Sequence, residues 1–372
     1  MDYLYEYVTR PLFFRFCKDA EKAHDRSLLA LRAFGAVRPL VALMERFNMK
    51  NPHLPPQKPI ELFGLKFPNV VGVAAGYDKQ ARVWAALGAL GFGHVEIGTV
   101  THLAQSGNEK PRLFRYPKFE AAVNSFGFPN DGAEEIAARI AKGPKKGKRA
   151  FPLGINIGKS KVCPIENAVE DYLGSFRALA DHADYVSVNI SSPNTPNLRE
   201  LHDRKHLVTL LSELQKENRA RALRLKEKPL PMLLKIAPDL SYAQVDDVIS
   251  VVEETEFNGL IATNTTVSRP EFMGSDVVTK GGLSGAPLMR KSVDLPLMRK
   301  SVDMVRYIVR ATDGKLPVIG SGGICRAEDA DRFLAVGASL IQIYTGMVYR
   351  GPFFARELAQ GFAWNQTGWP AA

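Results

Sequence analysis

Eight short apolar segments, from residue 70 onward, constrain the fold of this chain more than any other feature. Each segment ends in glycine or polar residues, and most are followed by a stretch with helical spacing. Apolar runs that alternate with helices in this way are typical of parallel strands buried on both faces. Eight such units favour closure into a (β/α)8 TIM barrel, an α/β fold, over a doubly wound open sheet. The predicted strands are 70–76, 94–100, 153–158, 185–191, 232–237, 259–265, 317–323 and 340–345.

Polar side chains or glycines follow the predicted strands. In a (β/α)8 barrel the carboxyl ends of all strands meet at one rim, and this rim carries the chemistry. The sequence therefore predicts a functional site at the rim. Its first members are Lys79, Thr99, Asn156, Asn189, Lys235, Asn264, Gly322, Gly323, Tyr344 and Thr345.

Composition limits the classes of function. The chain has 372 residues, 45% of them hydrophobic and 24% charged, which is typical of a globular protein with a large core. Three cysteines lie far apart without a CxxC motif, so neither a disulfide framework nor a metal site is predicted. The net charge of +10 favours anionic partners. The basic run 142–149 lacks interleaved aromatic residues, so we interpret it as a solvated loop and expect no nucleic-acid partner.

Residues 1–50 differ from the rest and predict an N-terminal helical extension, separate from a barrel domain at 60–372. Aromatic residues are frequent from Tyr3 to Phe16, and residues 27–47 have helical apolar spacing with interleaved arginines. This pattern fits an amphipathic piece that lies on a membrane, or a helical cap that packs on the barrel. No apolar run reaches the roughly 18 residues of a membrane span. Charges from Asp2 onward argue against a secretory signal, and the proline-rich stretch 51–59 is a predicted linker.

The loop 189–196, Asn-Ile-Ser-Ser-Pro-Asn-Thr-Pro, directly follows a predicted strand. Its two prolines fix the backbone, and its two asparagines offer amide hydrogen bonds. Ser192 therefore stands in a rigid polar setting, which suits a catalytic hydroxyl. A tight turn rich in Asx and proline residues is the structural alternative.

Three further patterns point to an anionic, planar ligand. The glycine-rich loop 320–323 and the segment 344–346 follow predicted strands seven and eight, where barrels commonly bind phosphate. Lys235 ends an apolar strand, and its burial requires an anion: either a bound ligand or, locally, Asp239. Amides at the rim suit a ring with imide edges, although each alone could be a turn residue. These amides belong to Asn156, Asn189, Asn194 and Asn264.

Together these residues resemble the dihydroorotate dehydrogenases, specifically the membrane-associated, quinone-dependent class, along nearly the whole chain. The matching motifs are AAGYDK at 74–79, EIGTVT at 96–101, GNEKPRLFR at 107–115, NSFGF at 124–128, GINIGK at 154–159, the loop 189–196, KIAPDL at 235–240, ATNTT at 262–266, GGLSG at 281–285 and QIYTG at 342–346.

The resemblance implies an FMN enzyme that oxidises dihydroorotate to orotate in pyrimidine biosynthesis. It makes Ser192 the general base, where the soluble class has cysteine. FMN would be held by Ala75, Gly76, Tyr77, Asp78, Lys79, Thr99, Asn156, Asn189, Lys235, Thr263, Gly285, Gly323, Tyr344 and Thr345. The substrate would be held by Lys79, Asn124, Ser125, Phe126, Gly127, Phe128, Asn189, Asn194, Asn264 and Thr265.

The resemblance also gives the N-terminal extension a role. The segment 21–24, Glu-Lys-Ala-His, is similar to the family's signature in a helical extension that lies on the membrane and admits quinone. His24 and Arg115 are the predicted quinone residues, with a helix-packing histidine and a surface arginine as alternatives. We expect peripheral attachment to the cytoplasmic side of a bacterial inner membrane. The competing hypotheses are a soluble-class enzyme that uses fumarate or NAD, and a non-catalytic membrane-surface protein.

One feature departs from the family pattern: the octapeptide Pro-Leu-Met-Arg-Lys-Ser-Val-Asp occurs at 287–294 and again at 296–303. A nine-residue offset turns a helix by about half a turn, so both copies cannot bury the same face of one straight helix. Pro296 would also break that helix. We predict that one copy forms the helix and the other loops out or makes a short turn. Because the repeat adjoins Gly285, weaker FMN binding is a further expectation.

Overall fold

The computed structural model describes residues 3–49, 59–196, 198–289 and 300–365. The strands are β1 (Ile60–Leu62), β2 (Leu65–Phe67), β3 (Val71–Val73), β4 (His94–Val100), β5 (Leu113–Tyr116), β6 (Ala121–Asn124), β7 (Leu153–Ile157), β8 (Tyr185–Asn189), β9 (Met232–Ile236), β10 (Gly259–Ala262), β11 (Gly282–Gly285), β12 (Val318–Ser321) and β13 (Leu340–Ile343). The α-helices are α1 (Arg10–Phe16), α2 (Ala20–Ala36), α3 (Arg38–Met49), α4 (Trp84–Ala89), α5 (Ala133–Ile140), α6 (Ala168–Leu179), α7 (Arg204–Leu225), α8 (Tyr242–Glu254), α9 (Lys300–Ala311), α10 (Ala327–Ala335), α11 (Thr345–Arg350) and α12 (Phe354–Asn365).

Eight parallel strands close into a barrel in the order β3, β4, β7, β8, β9, β10, β12 and β13, with β13 returning to β3. This confirms the predicted (β/α)8 fold and excludes the open sheet. The barrel strands are buried along their whole length, as the continuous apolar runs require. The connecting helices cover the outside of the barrel. Because the eight strands are parallel, all their carboxyl ends face the same rim.

The strands are shorter at the rim than the sequence predicts. Only β4 has the predicted bounds, and β3 ends at Val73, three residues before the predicted end at Gly76. Beyond β3 the backbone still bonds to its neighbours, because the Ala74 N–H donates to Ile343 O (3.0 Å) and the Gly76 N–H donates to Gly98 O (2.7 Å). The polar and glycine residues that end each segment therefore leave the ladder and form rim loops.

A second sheet lies outside the barrel and is absent from the sequence-based prediction. Strands β5, β6 and β11 pair antiparallel, with Gly282 opposite Asn124 and Gly285 opposite Ala121. Strand β11 comes from a distant part of the chain, so its pairing with β6 leaves no local sequence signal. The sheet brings the motifs at 124–128 and 281–285 together.

The predicted helix at 27–47 is wrong as a single element. It consists of α2 and α3, which break at Val37 and diverge by 93°. Pro39 explains the break, because a helix-interior proline has no N–H to donate and its ring clashes with the carbonyl four residues earlier. Among the described residues, no single helix is long and apolar enough to cross a membrane; only α2 and α3 taken together across the bend meet that requirement, by length and composition.

Ion pairs attach the N-terminal segment to the barrel. Arg350, in α11, bridges Glu6 (2.9 Å) and Glu120 (2.7 Å). The Tyr5 hydroxyl donates to Val348 O at 2.9 Å. The segment also leaves large apolar side chains exposed to solvent: Tyr3, Leu4, Tyr7, Val8, Leu12, Phe16, Leu29, Val37, Leu40 and Leu43.

The basic run before β7 forms turns, with most of its side chains exposed, as predicted for a solvated loop. Arg149 is more enclosed, because its guanidinium pairs with Asp184 at 2.9 Å and lies over the Trp84 ring. All three cysteines are free thiols. The predicted linker lies outside the described residues except for Pro59.

The described parts of the repeat agree with the predicted division. The first copy opens in a 3₁₀ turn, Ala286–Leu288, and the second copy supplies the first residues of α9 from Lys300. Residues 290–299 lie outside the described residues. Leu288 and Ser301 both lie against Gly322, because a Cβ on that glycine would be 3.4 Å from Leu288 Cδ2 and 2.8 Å from Ser301 Oγ. The two ends of the repeat therefore meet at the rim.

Deletion of 290–298 joins Met289 to Arg299 and restores a single copy of the repeat while keeping every described residue. We expect the shortened protein to fold, with a free energy of unfolding that is unchanged or higher by about 1 kcal/mol, because a shorter connection loses less closure entropy. Thermal denaturation measures this. Deletion of 300–308, also nine residues, removes buried Val302 and Val305 and should abolish cooperative unfolding. A large fall in Tm for the first deletion would mean that both copies are needed.

Candidate active site

A cavity of about 440 Å³ opens at the rim and is covered by helix α2. It is lined by most of the residues predicted from sequence. These are Ala75, Gly76, Tyr77, Lys79, Thr99, Asn124, Phe126, Gly127, Phe128, Asn189, Ser192, Asn194, Lys235, Thr263, Asn264, Thr265, Gly285, Gly323, Tyr344 and Thr345, together with His24 and Arg115.

Three predicted residues lie behind the cavity wall. Asp78 is fully buried and accepts hydrogen bonds from the backbone N–H groups of Arg82 and Val83, both at 2.8 Å, just before α4 begins. Asn156 reaches the cavity only through Thr99, whose hydroxyl donates to its Oδ1 at 2.6 Å. Ser125 is buried, and its backbone N–H donates to Arg112 O at 2.9 Å. These three residues support the site from behind.

The loop after β8 holds Ser192 at the cavity. Ser192 is only 4% exposed, and its Oγ accepts a hydrogen bond from the Asn194 N–H at 3.2 Å. Asn194 donates in turn to Asn124 O at 3.2 Å, which ties the loop to β6. Within the described part of the chain, no carboxylate or imidazole hydrogen-bonds the Ser192 hydroxyl. The hydrogen bonds of Asn194 therefore tie the loop to its neighbours, and the described side chains place no directly bonded base at the Ser192 hydroxyl.

Amide side chains form one connected wall beside Ser192. Asn189 donates to Thr99 Oγ1 at 2.9 Å and accepts from Ser191 Oγ at 2.9 Å. Asn264 donates to Ser191 Oγ at 2.9 Å, which links β8 to β10. The asparagines predicted from separate strands thus share one network, which fixes the orientation of their donors and acceptors.

Lys79 supplies a cation at the same cavity. Its Nζ lies 3.9 Å from the centroid of the Phe126 ring. Burial lowers the pKa of Lys79 to about 8; Glu21 opposes this effect and the nearby Arg112 adds to it. A bound carboxylate would stabilise the protonated amine, so an acidic ligand suits this position.

Lys235 has a carboxylate partner, but it is not the predicted one. Its Nζ lies 3.8 Å from Glu96 Oε1, inside the barrel. Asp239 instead pairs with Arg199 and Lys300, both at 3.3 Å. The local alternative was wrong because Asp239 follows the strand and turns away, whereas Glu96 faces Lys235 from β4. Glu96 thus supplies an anionic partner that was not predicted, and a bound anion beside Lys235 stays a prediction.

Glycines shape the far end of the cavity, where the loop after β12 meets the start of α11. Gly323 has a φ of +82°, and a Cβ there would lie 2.5 Å from Met289 Cγ. Gly285 has a φ of +98°, and a Cβ there would lie 2.3 Å from Glu120 O. Only glycine fits at these two positions, and exposed backbone N–H groups in such loops bind phosphate.

Aromatic rings connect this end of the cavity with helix α2. The His24 ring lies 5.2 Å from Tyr77 and 6.3 Å from Tyr344, measured between centroids. Burial, together with the charge of Lys79, lowers the pKa of His24 to about 3, so its imidazole is neutral at physiological pH. Arg115 stacks over Phe14 at 4.1 Å and donates to the carbonyl oxygens of Cys17 and Lys18. Both predicted quinone residues therefore also anchor the extension.

Several polar residues of the site were missed in the sequence. Ser27, Ser284 and Gln342 line the cavity, and Glu96 lies directly behind Lys235. Glu96 carried a usable signal, because an acidic residue inside a buried apolar strand needs a compensating partner. Ser27 and Ser284 gave no sequence signal, since each reaches the site only because its helix or strand packs against a distant part of the chain.

These features define a (β/α)8 barrel whose covered rim cavity combines Ser192, two buried lysines, an amide wall and a glycine-rich loop. Residues 59–364 match the family model for dihydroorotate dehydrogenase. The chain is 43% identical over 358 residues to the dihydroorotate dehydrogenase (quinone) of Christiangramia forsetii, covering 96% of this chain and 98% of the relative. It is 43% identical over 368 residues to that of Acidithiobacillus ferrooxidans, covering 98% and 96%.

A solved structure gives the same assignment. The Eimeria tenella DHODH in complex with ferulenol superposes with a TM-score of 0.80 at 34% identity, covering 94% of this chain and 93% of that one. The chain therefore belongs to the dihydroorotate dehydrogenase family, and its similar relatives carry the quinone designation.

Helix α2 is joined to the site by a buried ion pair. Glu21 is 8% exposed and accepts from Arg112 Nη2 at 2.8 Å and from Arg112 Nε at 3.2 Å. Burial raises the pKa of Glu21, but the hydrogen bonds and charges of Arg112 and Lys110 together outweigh burial and lower the pKa. The contribution of this pair to stability is therefore present above pH 4.5 and is lost as the pH falls through the lowered pKa.

We expect Arg112→Leu to lower the free energy of unfolding at pH 7 by about 3–5 kcal/mol, because it leaves the buried Glu21 carboxylate with only the exposed Lys110 as a counter-charge. Lys110→Ala is the matched control, since Lys110 pairs with the same carboxylate at 3.2 Å from an exposed position. That variant should lose roughly 0–1 kcal/mol. Urea denaturation measures both, and equal small losses would contradict the assignment of the buried pair.

Proposed function

We propose that this chain oxidises dihydroorotate to orotate in pyrimidine biosynthesis, with FMN as the hydride acceptor and a membrane quinone as the final acceptor. The observation that carries the proposal is that one cavity joins the Ser192 loop, the buried Lys235, the glycine-rich phosphate end and helix α2. These are the parts that proton removal, flavin binding and quinone access require.

The residues present fit FMN. The loop with Gly323 and the start of α11 with Thr345 would hold the phosphate through backbone N–H groups. Lys235 would lie at the ring, and Gln342 Oε1 is a buried acceptor without a partner among the described residues. The bound flavin supplies hydride-transfer chemistry, whereas the protein supplies orientation and electrostatics.

The amide wall and Lys79 would bind the substrate. Lys79 is positioned to pair with the carboxylate of dihydroorotate, and Asn124, Asn194 and Asn264 present amides that match an imide ring. Phe126 and Phe128 line the same cavity, and their rings would shield the bound substrate from water. The substrate would thus lie between the amide wall and the flavin site, beside Ser192.

Ser192 would take the C5 proton of dihydroorotate as the C6 hydride departs. Its hydroxyl is held by the Asn194 N–H, which limits rotation and keeps one lone pair available toward the cavity. A serine hydroxyl is a weak base, so the proton must move onward as it is accepted.

Quinone would enter beneath helix α2. His24 and Arg115 lie on the cavity beside the aromatic cluster, and Tyr5, Phe13 and Leu31 line its outer part. The exposed apolar side chains of the N-terminal segment suit peripheral binding to a membrane surface. We propose attachment to the cytoplasmic side of a bacterial inner membrane.

Ser192→Ala should slow reduction of the bound flavin by dihydroorotate by about 10²–10⁴-fold, since it removes the general base. Anaerobic stopped-flow bleaching of the flavin absorbance measures this step apart from quinone turnover. Ser192→Cys should keep measurable activity, because a thiolate can also take a proton. Ser250→Ala, on the outer helix α8, should match the wild type. Undiminished bleaching in Ser192→Ala would exclude Ser192 as the base.

The double variant Leu12→Glu and Phe16→Glu should bind vesicles of phosphatidylglycerol and phosphatidylcholine at least roughly tenfold more weakly, because each apolar side chain contributes about 1.5–3 kcal/mol when buried. These residues are 50% and 77% exposed. Leu223→Glu is the control, since Leu223 is 82% exposed on the barrel helix α7. Vesicle co-sedimentation gives the result, and equal binding by both variants would argue against a membrane-facing extension.

A further inference from the structure

A buried carboxylate lies under the flavin site without touching the cavity. Glu96, in the middle of β4, is fully buried. It accepts hydrogen bonds from Asn156 Nδ2 (3.1 Å), Tyr185 OH (3.2 Å) and Gln342 Nε2 (3.0 Å). All three donors are neutral, so they stabilise the carboxylate without cancelling its charge.

The cation nearest to this carboxylate is Lys235. Its Nζ lies 3.8 Å from Glu96 Oε1, and among the described residues no other acidic side chain lies within 4.0 Å of it. Lys235 lines the cavity whereas Glu96 does not. The lysine therefore stands between a fixed anion below and the ligand site above.

The distance between Lys235 and Glu96 affects both the orientation of the ammonium and its pKa. The ion pair is longer than a close hydrogen bond, so the ammonium protons stay available to the cavity. Burial lowers the pKa of Lys235, and the negative charge of Glu96 opposes this effect in part. Burial and the same carboxylate also raise the pKa of Tyr185 well above its ordinary value, which keeps that hydroxyl a donor.

We propose that Glu96 is a positioning residue that keeps Lys235 protonated and directed at the flavin ring, and so favours the reduced flavin. The proposal rests on the proposed flavin site. Its physical basis is that an ammonium in a closed barrel is costly without a counter-charge. Glu96 supplies that charge before any ligand binds, so Lys235 need not gain a proton when the flavin is reduced.

The test is the two-electron midpoint potential of the bound flavin between pH 6 and 9 in the wild type and in Glu96→Gln. Dithionite titration against redox dyes measures it without dihydroorotate. The amide keeps the shape but removes the charge, so Lys235 should lose its proton within this range. We expect the midpoint potential of Glu96→Gln to show a new pH-dependent transition. Above the pH of that transition, the equilibrium should shift at least tenfold toward oxidised flavin, which lowers the potential by about 30 mV.

Lys235→Met provides the matched background. The flavin in Lys235→Met should have a lowered midpoint potential without the new pH-dependent transition. Adding Glu96→Gln to this variant should leave the potential unchanged, since the carboxylate acts only through the lysine. An additive effect in the double variant would overturn the proposal. So would an unchanged or raised potential in Glu96→Gln, which would mean that Lys235 keeps its proton unaided.

Glu96→Asp covers the case in which the amide variant does not fold. It keeps the charge but draws it away from Lys235, so a smaller shift in the same direction is expected and an unchanged profile would overturn the proposal. Failure of the proposed function has a separate signature: the wild type would retain no FMN, or dihydroorotate would not bleach it. A flavin that dihydroorotate reduces in the wild type, together with an unchanged potential in the Glu96 variants, rejects only the role of Glu96.

Discussion

Closure of eight parallel strands is the constraint on which the rest of this structure depends. Parallel pairing sends every strand end to the same rim, and closure brings residues from distant strands within hydrogen-bond distance. The amide wall shows the result, because Asn189 and Asn264 meet through Ser191 across two strands. The same closure places the Lys235 ammonium 3.8 Å from the Glu96 carboxylate, and both side chains are buried. Each must then be the other's counter-charge.

The N-terminal extension turns this open rim into a covered cavity. Its contacts are polar and specific: Glu21 with Arg112, Glu6 with Arg350, and Arg115 with the carbonyl of Lys18. The barrel side of each contact comes from the rim loops and from β5 and α11, which also shape the ligand site. The extension therefore cannot shift without disturbing residues that line the rim cavity. These contacts link the exposed apolar surface of the extension directly to the proposed flavin site.

The sequence predicts the barrel well because apolar strand runs and polar strand ends are local signals. The bounds of β4 are correct, and most of the predicted site residues line one cavity. What fails depends on distant pairing: the sheet of β5, β6 and β11, and the choice of Glu96 over Asp239 as the partner of Lys235. The break at Val37 does not depend on distant pairing, since Pro39 is a local sequence signal for a helix break.

A matching motif also does not show whether each of its residues lines the cavity or only supports the residues that do. Asp78, Asn156 and Ser125 lie inside matching motifs, yet they cap a helix, hold Thr99 and carry a backbone bond behind the wall. Only the side-chain geometry distinguishes these roles, because neighbouring residues on a strand or turn point in opposite directions.

The most direct test of the account is steady-state oxidation of dihydroorotate by the purified full-length protein with three acceptors in parallel: a short-chain soluble quinone, fumarate and NAD. The account predicts rapid turnover with the quinone and none above background with the other two, because the cavity opens beneath α2 toward the apolar N-terminal surface. Turnover with fumarate or NAD but not with the quinone would contradict it.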